Sequence, residues 1–521
     1  MSRTAGSGRP ILLPRVAHGA GNGRLAIGRP GWLGHRGSSG WGWGSHRGIR
    51  AAAFAAALLV ADLGIALAIV EPRLHRLLLL GVAVVALALV FRFPMAATCF
   101  ALVLLATVVE AQRFKIPFGP IELRLAEVVV GALCLVALVR PRRAWWGGFA
   151  GVALLAFLAV LTLSSYLTIE SGRASFNLVY VTARAFVPLV LFFVIVRLFP
   201  EPERVTRLLV MSVALAAIAG VIAVLAAAPG SPVQEILNPD NSSTIRDREG
   251  FGIVNRVRLP GVALAYPLFW YTAVRTVHAE RVQRLWWLTA LAAMTVALAL
   301  SFNRNQWIGL VLGLCCMLAL SRVRARKSFV TALVLFATVG MGAVLAGTNI
   351  SADSPVYPIV KRGTTLLDPQ SEVRDSSLQD RVVESRLAIA AYKQHPFTGI
   401  GPGASFGSRS TSTDASGAVV RTEQNFLHNQ YLFLLIIGGP LALLAFCAFL
   451  LAPAVSVLGR HDLDDGVVAL AVGILLIMVS AIVSIAFADA TSAAVVALLA
   501  GALVVLTQRP RPAGAPPEVR A

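Results

Sequence analysis

Long apolar runs, separated by short polar breaks, recur along nearly the whole chain from residue 50 onward. Many of them reach the ~20 residues that an α-helix needs to cross a ~30 Å hydrocarbon core. A membrane barrel would instead show short segments of alternating polarity. The pattern therefore predicts an all-α protein, a polytopic transmembrane helical bundle of about 12–14 helices. Spans are expected near residues 50–70, 76–91, 94–110, 123–140, 147–168, 178–197, 208–228, 259–274, 286–301, 305–320, 328–347, 429–452, 466–487 and 490–507. The run after Arg50 is too long for a signal-peptide core and is expected to remain as the first span.

The polar breaks orient these spans. Arginine-rich segments such as "RPRRAWW" (Arg140–Trp146), "EPERVTR" (Glu201–Arg207) and "SRVRARK" (Ser321–Lys327) fall on one side if the helices alternate, and the positive-inside rule makes that side cytoplasmic. The organisation then reads as a disordered, Gly- and Arg-rich cytoplasmic tail over 1–49, eleven spans over 50–346, a large extracytoplasmic loop over 347–428, three more spans over 429–507, and a cytoplasmic tail over 508–521. Loops of about eighty residues are uncommon in compact proteins and tend to be lids or binding elements. Within this one, "SSLQDRVVESRLAIAAYKQHP" predicts an amphipathic helix over 376–395, with Ser377 and Asp380 in the positions of a capping box. Leu378, Val382, Ile389 and Tyr392 form its expected apolar face, opposite Asp380, Glu384 and Lys393. Pro396 ends it, "GIGPG" (Gly399–Gly403) makes a turn, and Gly407–Val419 reads as a flexible surface insert.

Composition narrows the function classes. The 521 residues are 57% hydrophobic and 14% charged, with a formal net charge of +20. That charge lies in the short breaks between spans, which points to membrane orientation and to contacts with membrane lipids; no nucleic-acid partner is expected. All five cysteines fall in apolar runs, where a thiol acts as a small hydrophobe, so no disulfide framework is implied. The chain lacks the zinc motifs HExxH and CxxC, and GIGPG is not followed by the Lys-Ser/Thr of a nucleotide loop.

Charge on the outer side, where the orientation rule disfavours it, is the remaining signal. Arg256 and Arg258 precede the eighth span, Arg304 opens the tenth from the tight "SFNRNQ" turn, and Arg184 lies inside the sixth. An arginine near a helix end can simply snorkel to lipid headgroups. Guanidinium forks also suit phosphate oxygens, and a charge within a span tends to mark function. His428 stands at the lip of the twelfth span, followed by Asn429, Gln430 and Tyr431, a cluster that would equally serve as a helix cap or as part of a site.

Two stretches resemble the signature segments of the O-antigen ligase/polymerase superfamily. "LSFNRNQWIGLVLGL" (Leu300–Leu314) is similar to the first, with Arg304 on the family arginine. "HPFTGIGPGASFG" with "HNQYLFLLIIGGPLALLAF" is similar to the second, with His428 on the family histidine. The resemblance spans roughly Gly250–Phe446. Asn303 and Asn305 stand where the family usually has Ser and Gly, and Pro440 follows Gly438–Gly439 where Glu and Gly are common. A further family arginine is matched by Arg258 or Arg256 ahead of "RLPGVALAY", with Arg184 as the alternative.

The resemblance implies a GT-C-like bundle and metal-independent, inverting glycan transfer with no cofactor. The partners would be a polyprenyl-diphosphate-linked glycan donor and a glycan or glycolipid acceptor. Arg304, with Arg258, Arg256 or Arg184, would hold the diphosphate. His428 would orient or deprotonate the acceptor hydroxyl or contact the phosphate. Asn429, Gln430 and Tyr431 would contact sugar or position His428, and Glu423 is a further candidate base. The competing reading is a lipid-linked glycan flippase or other secondary transporter, which should carry inverted repeats and broken helices; the sequence displays neither. A scaffold for other envelope enzymes is a third possibility.

Overall fold

The computed structural model describes residues 87–106, 115–118, 121–139, 146–227, 262–301, 303–320, 330, 376–413, 419–458, 460, 462–484 and 490–508. The chain divides into a unit of Met1–Val82 and a unit of Ala83–Ala521, and all the described residues belong to the second. The span expected at 50–70, all but residue 330 of the one at 328–347, nearly all of the one at 76–91, and almost all of both tails lie outside them.

The apolar runs that are described form helices where hydropathy puts them. They are α1 (Pro94–Ala106), α2 (Leu125–Val139), α3 (Gly148–Glu170), a broken helix made of α4 (Phe176–Ala183), a 3-10 segment (Arg184–Val190) and α5 (Leu191–Leu198), then α6 (Pro202–Ala227), α7 (Val262–His278), α8 (Arg281–Leu300) and α9 (Arg304–Leu320). After the polar stretch come α10 (Ser376–Gln394), α11 (Gln430–Val455), α12 (Asp465–Ser480) and α13 (Ala490–Thr507). Among the described residues, six helices are long and apolar enough to cross a membrane, with the 176–198 run counted as one. The molecule is an all-α helical bundle with two short hairpins added.

At the centre stands α13. Its sequence, "ATSAAVVALLAGALVVLT", is almost all small or branched apolar residues, and Ala493–Ala500 are at most 2% exposed. A helix apolar on every side belongs in a core, and α13 packs against the 3-10 segment, α5, α12, α11, α6 and α1. Around it α3 runs along α11, and α7 lies between α8, α12 and α6. Small residues permit the close approaches: a Cβ on Gly473 of α12 would sit 2.4 Å from the Pro267 carbonyl oxygen of α7.

Among the described residues two helices are broken, which hydropathy alone did not anticipate. Pro188 lies within the 3-10 segment and removes one backbone donor. In α11, Gly439 adopts φ 69° ahead of Pro440. Pro440 has no N–H to offer the carbonyl four residues back, that of Ile436. The GIGPG turn supplies the missing donors: the Ile400 and Gly401 N–H groups both bond to Ile436 O, at 2.8 and 3.1 Å. Ile437 O accepts from the Ser164 hydroxyl of α3 at 2.5 Å. The turn is thus a plug in the kink, and its glycines are required by contact. Gly399 has φ 67°, and a Cβ there would lie 2.2 Å from Ile436 O.

The hairpins were not legible either. β1 (Lys115–Phe118) pairs antiparallel with β2 (Ile121–Arg124), and β3 (Ser408–Thr413) pairs antiparallel with β4 (Val419–Glu423) through an irregularity between Ser410 and Ser412. The second hairpin occupies much of the stretch expected to be a surface insert. It continues to its base through Phe406 N to Gln424 O at 2.9 Å and Gln424 N to Gly407 O at 2.8 Å.

Candidate active site at one end of the bundle

Arg304 is placed by the turn that precedes it. The Ser301 hydroxyl reaches Leu298 O at 2.7 Å and the Gln306 side chain at 3.0 Å, while Trp307 Nε1 donates to Leu298 O at 3.0 Å. The Gln306 and Trp307 N–H groups bond to Asn303 O. These contacts start α9 at once, so Arg304 is its first residue and is partly buried. The free N–H groups of a helix N-terminus also favour an anion at this point.

His428 is placed by the start of α11, and the capping question resolves one residue further on. Asn429 is the cap: its side chain accepts from Leu432 N at 3.0 Å. His428 turns away from the helix, and its Nδ1 lies 2.8 Å from Oε2 of Glu384 on α10. The Glu384 side chain is 7% exposed and that of His428 is 39% exposed. Next to it Phe426 meets the imidazole edge to face, with centroids 5.2 Å apart.

That pairing corrects the expected face of α10. Glu384 and Ala388 are buried, with Leu387, Ala391 and Tyr392 packed on the core, while Val382 and Ile389 are exposed. The inward stripe 384, 387, 388, 391, 392 has helical spacing, but it is led by a carboxylate. A buried acid needs a partner, and the partner is His428, 44 positions away.

The neighbouring candidates are tied down. Gln430 is fully buried and its N–H bonds to Ala481 O at 3.0 Å, past the end of α12. Tyr431 donates its hydroxyl to Met478 O at 2.6 Å. Arg381 of α10 donates to Val483 O at 3.0 Å. The frayed end of α12 therefore anchors both α10 and the start of α11, and these bonds hold the His428–Glu384 pair in place. Glu423 is exposed at the end of β4.

Arg184 sits at the junction of α4 and the 3-10 segment. Its Nε pairs with Glu127 Oε1 at 2.9 Å, with both side chains about nine-tenths buried, and its guanidinium lies over the Tyr180 ring at 5.1 Å. Glu127 also accepts from Arg124 N at 2.9 Å. The carboxylate thus serves one guanidinium and one backbone amide, and Arg124 Nε and Arg184 Nη2 are buried without an acceptor among the described residues. The GIGPG turn touches Thr168 and Leu178, which brings the start of α4 to the same end as α11. Arg256 and Arg258 lie outside the described residues.

Residues 289–447 match the O-antigen ligase family.

No curated protein matches the chain. The O-antigen ligase match runs from within α8 into α11 and takes in Arg304, Glu384 and His428. It ends where the resemblance read from the sequence ends but starts later, leaving out Arg184, Arg256, Arg258, α12 and α13. The match and the six apolar helices support a membrane protein, and the family matched over 289–447 implies a glycosyltransferase-like activity.

Proposed function

We propose that the protein transfers or polymerises glycans from a polyprenyl-diphosphate-linked donor onto a glycan or lipid acceptor, without a metal ion, at the extracytoplasmic membrane face. The observation that carries this reading is the His428–Glu384 pair. An ionised carboxylate can only accept, so beside Glu384 the imidazole would carry its proton on Nδ1 and keep Nε2 as a lone pair able to accept from a hydroxyl. That is the arrangement a base needs to take the proton of an acceptor alcohol as the sugar leaves the diphosphate. Attack from the face opposite the leaving group gives inversion. Arg304 and the first N–H groups of α9 would take up the diphosphate charge. Arg184, with Arg124 beside it, is a second cationic point at the same end.

Among the described residues no three His, Cys, Asp or Glu side chains group as a metal site, and guanidinium forks hold phosphates directly. Purified protein given fractionated lipid-linked oligosaccharides should therefore form polymer ladders, or glycosylate a lipid core, with EDTA present. Strict dependence on added magnesium or manganese overturns the metal-free part, and no transfer under any condition overturns the whole.

The orientation, a multi-pass plasma-membrane protein with both termini cytoplasmic, rests on the positive-inside pattern. A cysteine introduced at Ser412, in β3, should react with an impermeant thiol reagent in intact cells. Labelling only after lysis reverses the assignment and removes the site from the outer face.

A further inference from the structure

Between the starts of α7, α9 and α13 and the end of α12 lies a cavity of about 180 Å³. Its polar lining is the amides of Asn303 and Gln306, the hydroxyls of Ser480, Ser484 and Ser492, and Tyr266; the rest is aliphatic. Two of these residues tie it to the site already described. Asn303 immediately precedes Arg304, and Ser480 immediately precedes Ala481, whose carbonyl holds the Gln430 N–H. The cavity is thus flanked by the anchors of both Arg304 and His428. Among the described residues, its lining carries no ionisable group apart from the phenol of Tyr266.

The lining excludes two parts of a lipid-linked donor. Among the described residues the lining offers no cation to pair a diphosphate. A prenyl chain would cover two amides and three hydroxyls and add no hydrogen bond to what they make within the protein. An uncharged sugar fits both demands, because amides and hydroxyls each donate and accept, and the aliphatic wall can take the C–H face of a ring. The volume is below the ~300–1,000 Å³ of pockets for drug-sized ligands and of the order that one monosaccharide needs. We infer that this cavity is a subsite for a single uncharged pyranose residue of the transferred glycan or of the acceptor. The inference rests on the glycan-transfer reading and adds to it residues from α12 and α13, beyond the O-antigen ligase match.

Ser484→Cys tests it without relying on turnover. Ser484 is partly exposed and bonds to Ser480, so a thiol there should react with a small alkylating reagent. Labelling of the same protein after denaturation in detergent serves as the reference for full reaction. Three probes are compared: polyprenyl diphosphate carrying one N-acetylhexosamine, the same lipid without sugar, and a free neutral tetrasaccharide.

Protection of about tenfold by the sugar-bearing lipid assigns the subsite to the donor, and by the tetrasaccharide to the acceptor; either result supports the proposal. Equal protection by the sugar-free lipid overturns it, as does no protection by any probe, the result expected of a water-filled cavity. If Ser484→Cys fails to fold, Ser484→Ala replaces it. That variant should raise KM for one substrate about tenfold with kcat within about threefold, and unchanged KM values for both substrates overturn the proposal. Protection by sugar in a protein that transfers nothing would leave the subsite standing and sink the reading of the reaction.

Discussion

His428→Gln should insert and express as wild type yet lose glycan transfer by about 10²–10⁴-fold, the range that a positioned acid or base contributes. Glutamine can make local hydrogen bonds, so an imidazole serving only to steady the helix lip would be replaceable by it. The protein supplies its own control. At the opposite end of the bundle His278 Nε2 lies 3.3 Å from Asp465 Oδ2, and that carboxylate is as buried as Glu384. A histidine–carboxylate pair is therefore not by itself a site, and His278→Gln should remain active. Glu384→Gln should cost about 10–10²-fold, the usual cost of losing the group that orients a working histidine. Since both residues act through one imidazole, the double variant should be no worse than His428→Gln alone. Costs that multiply, or wild-type turnover in His428→Gln, would return the pair to the structural class of His278–Asp465.

One of the two broken helices, α11, bears on the competing reading, transport. Broken helices are a mark of transporters, where the freed carbonyls coordinate ions. Here α11 is broken, but the freed carbonyls of Ile436 and Ile437 are taken by Ile400, Gly401 and Ser164. The break serves to seat the GIGPG turn, and through it the segment that leads from α10 to His428.

What the sequence made legible follows from the range of the physics involved. Hydropathy is local, and every described span expected from it is a helix. Arg304 and His428 could be singled out as candidates because a charged or polar group at the lip of an apolar run stands out against its neighbours. Glu384 was not, because by its own helix it belongs to a solvated face, and only the histidine 44 positions away reverses that. The pairing of Arg184 with Glu127, 57 positions apart, was hidden in the same way. The kink was half legible: Gly439–Pro440 announces a lost donor, and the glycines of GIGPG announce a close approach. That one answers the other is a tertiary fact. Asn429 and Tyr431, read as sugar contacts or positioning groups, use the bonds described to cap α11 and to hold it against α12.

Arg304→Lys separates charge from geometry at the other half of the site. Lysine keeps the positive charge and reaches headgroups as well as arginine does, so a snorkelling residue would tolerate the change. It cannot present two parallel N–H donors to a phosphate. Arg304 has little freedom to compensate, because Ser301, Asn303, Gln306 and Trp307 fix the turn and make it the first residue of α9. Charge that develops on the departing diphosphate would meet this fork together with the N–H groups of the helix start. Loss of one such aimed donor costs about 2–4 kcal/mol of transition-state stabilisation, or roughly 30–1,000-fold in turnover. The loss should appear in kcat at matched membrane abundance, since the ammonium still attracts the diphosphate and binding suffers less. Unchanged turnover in the lysine variant would leave Arg304 a headgroup anchor and move the diphosphate to Arg184 and Arg124.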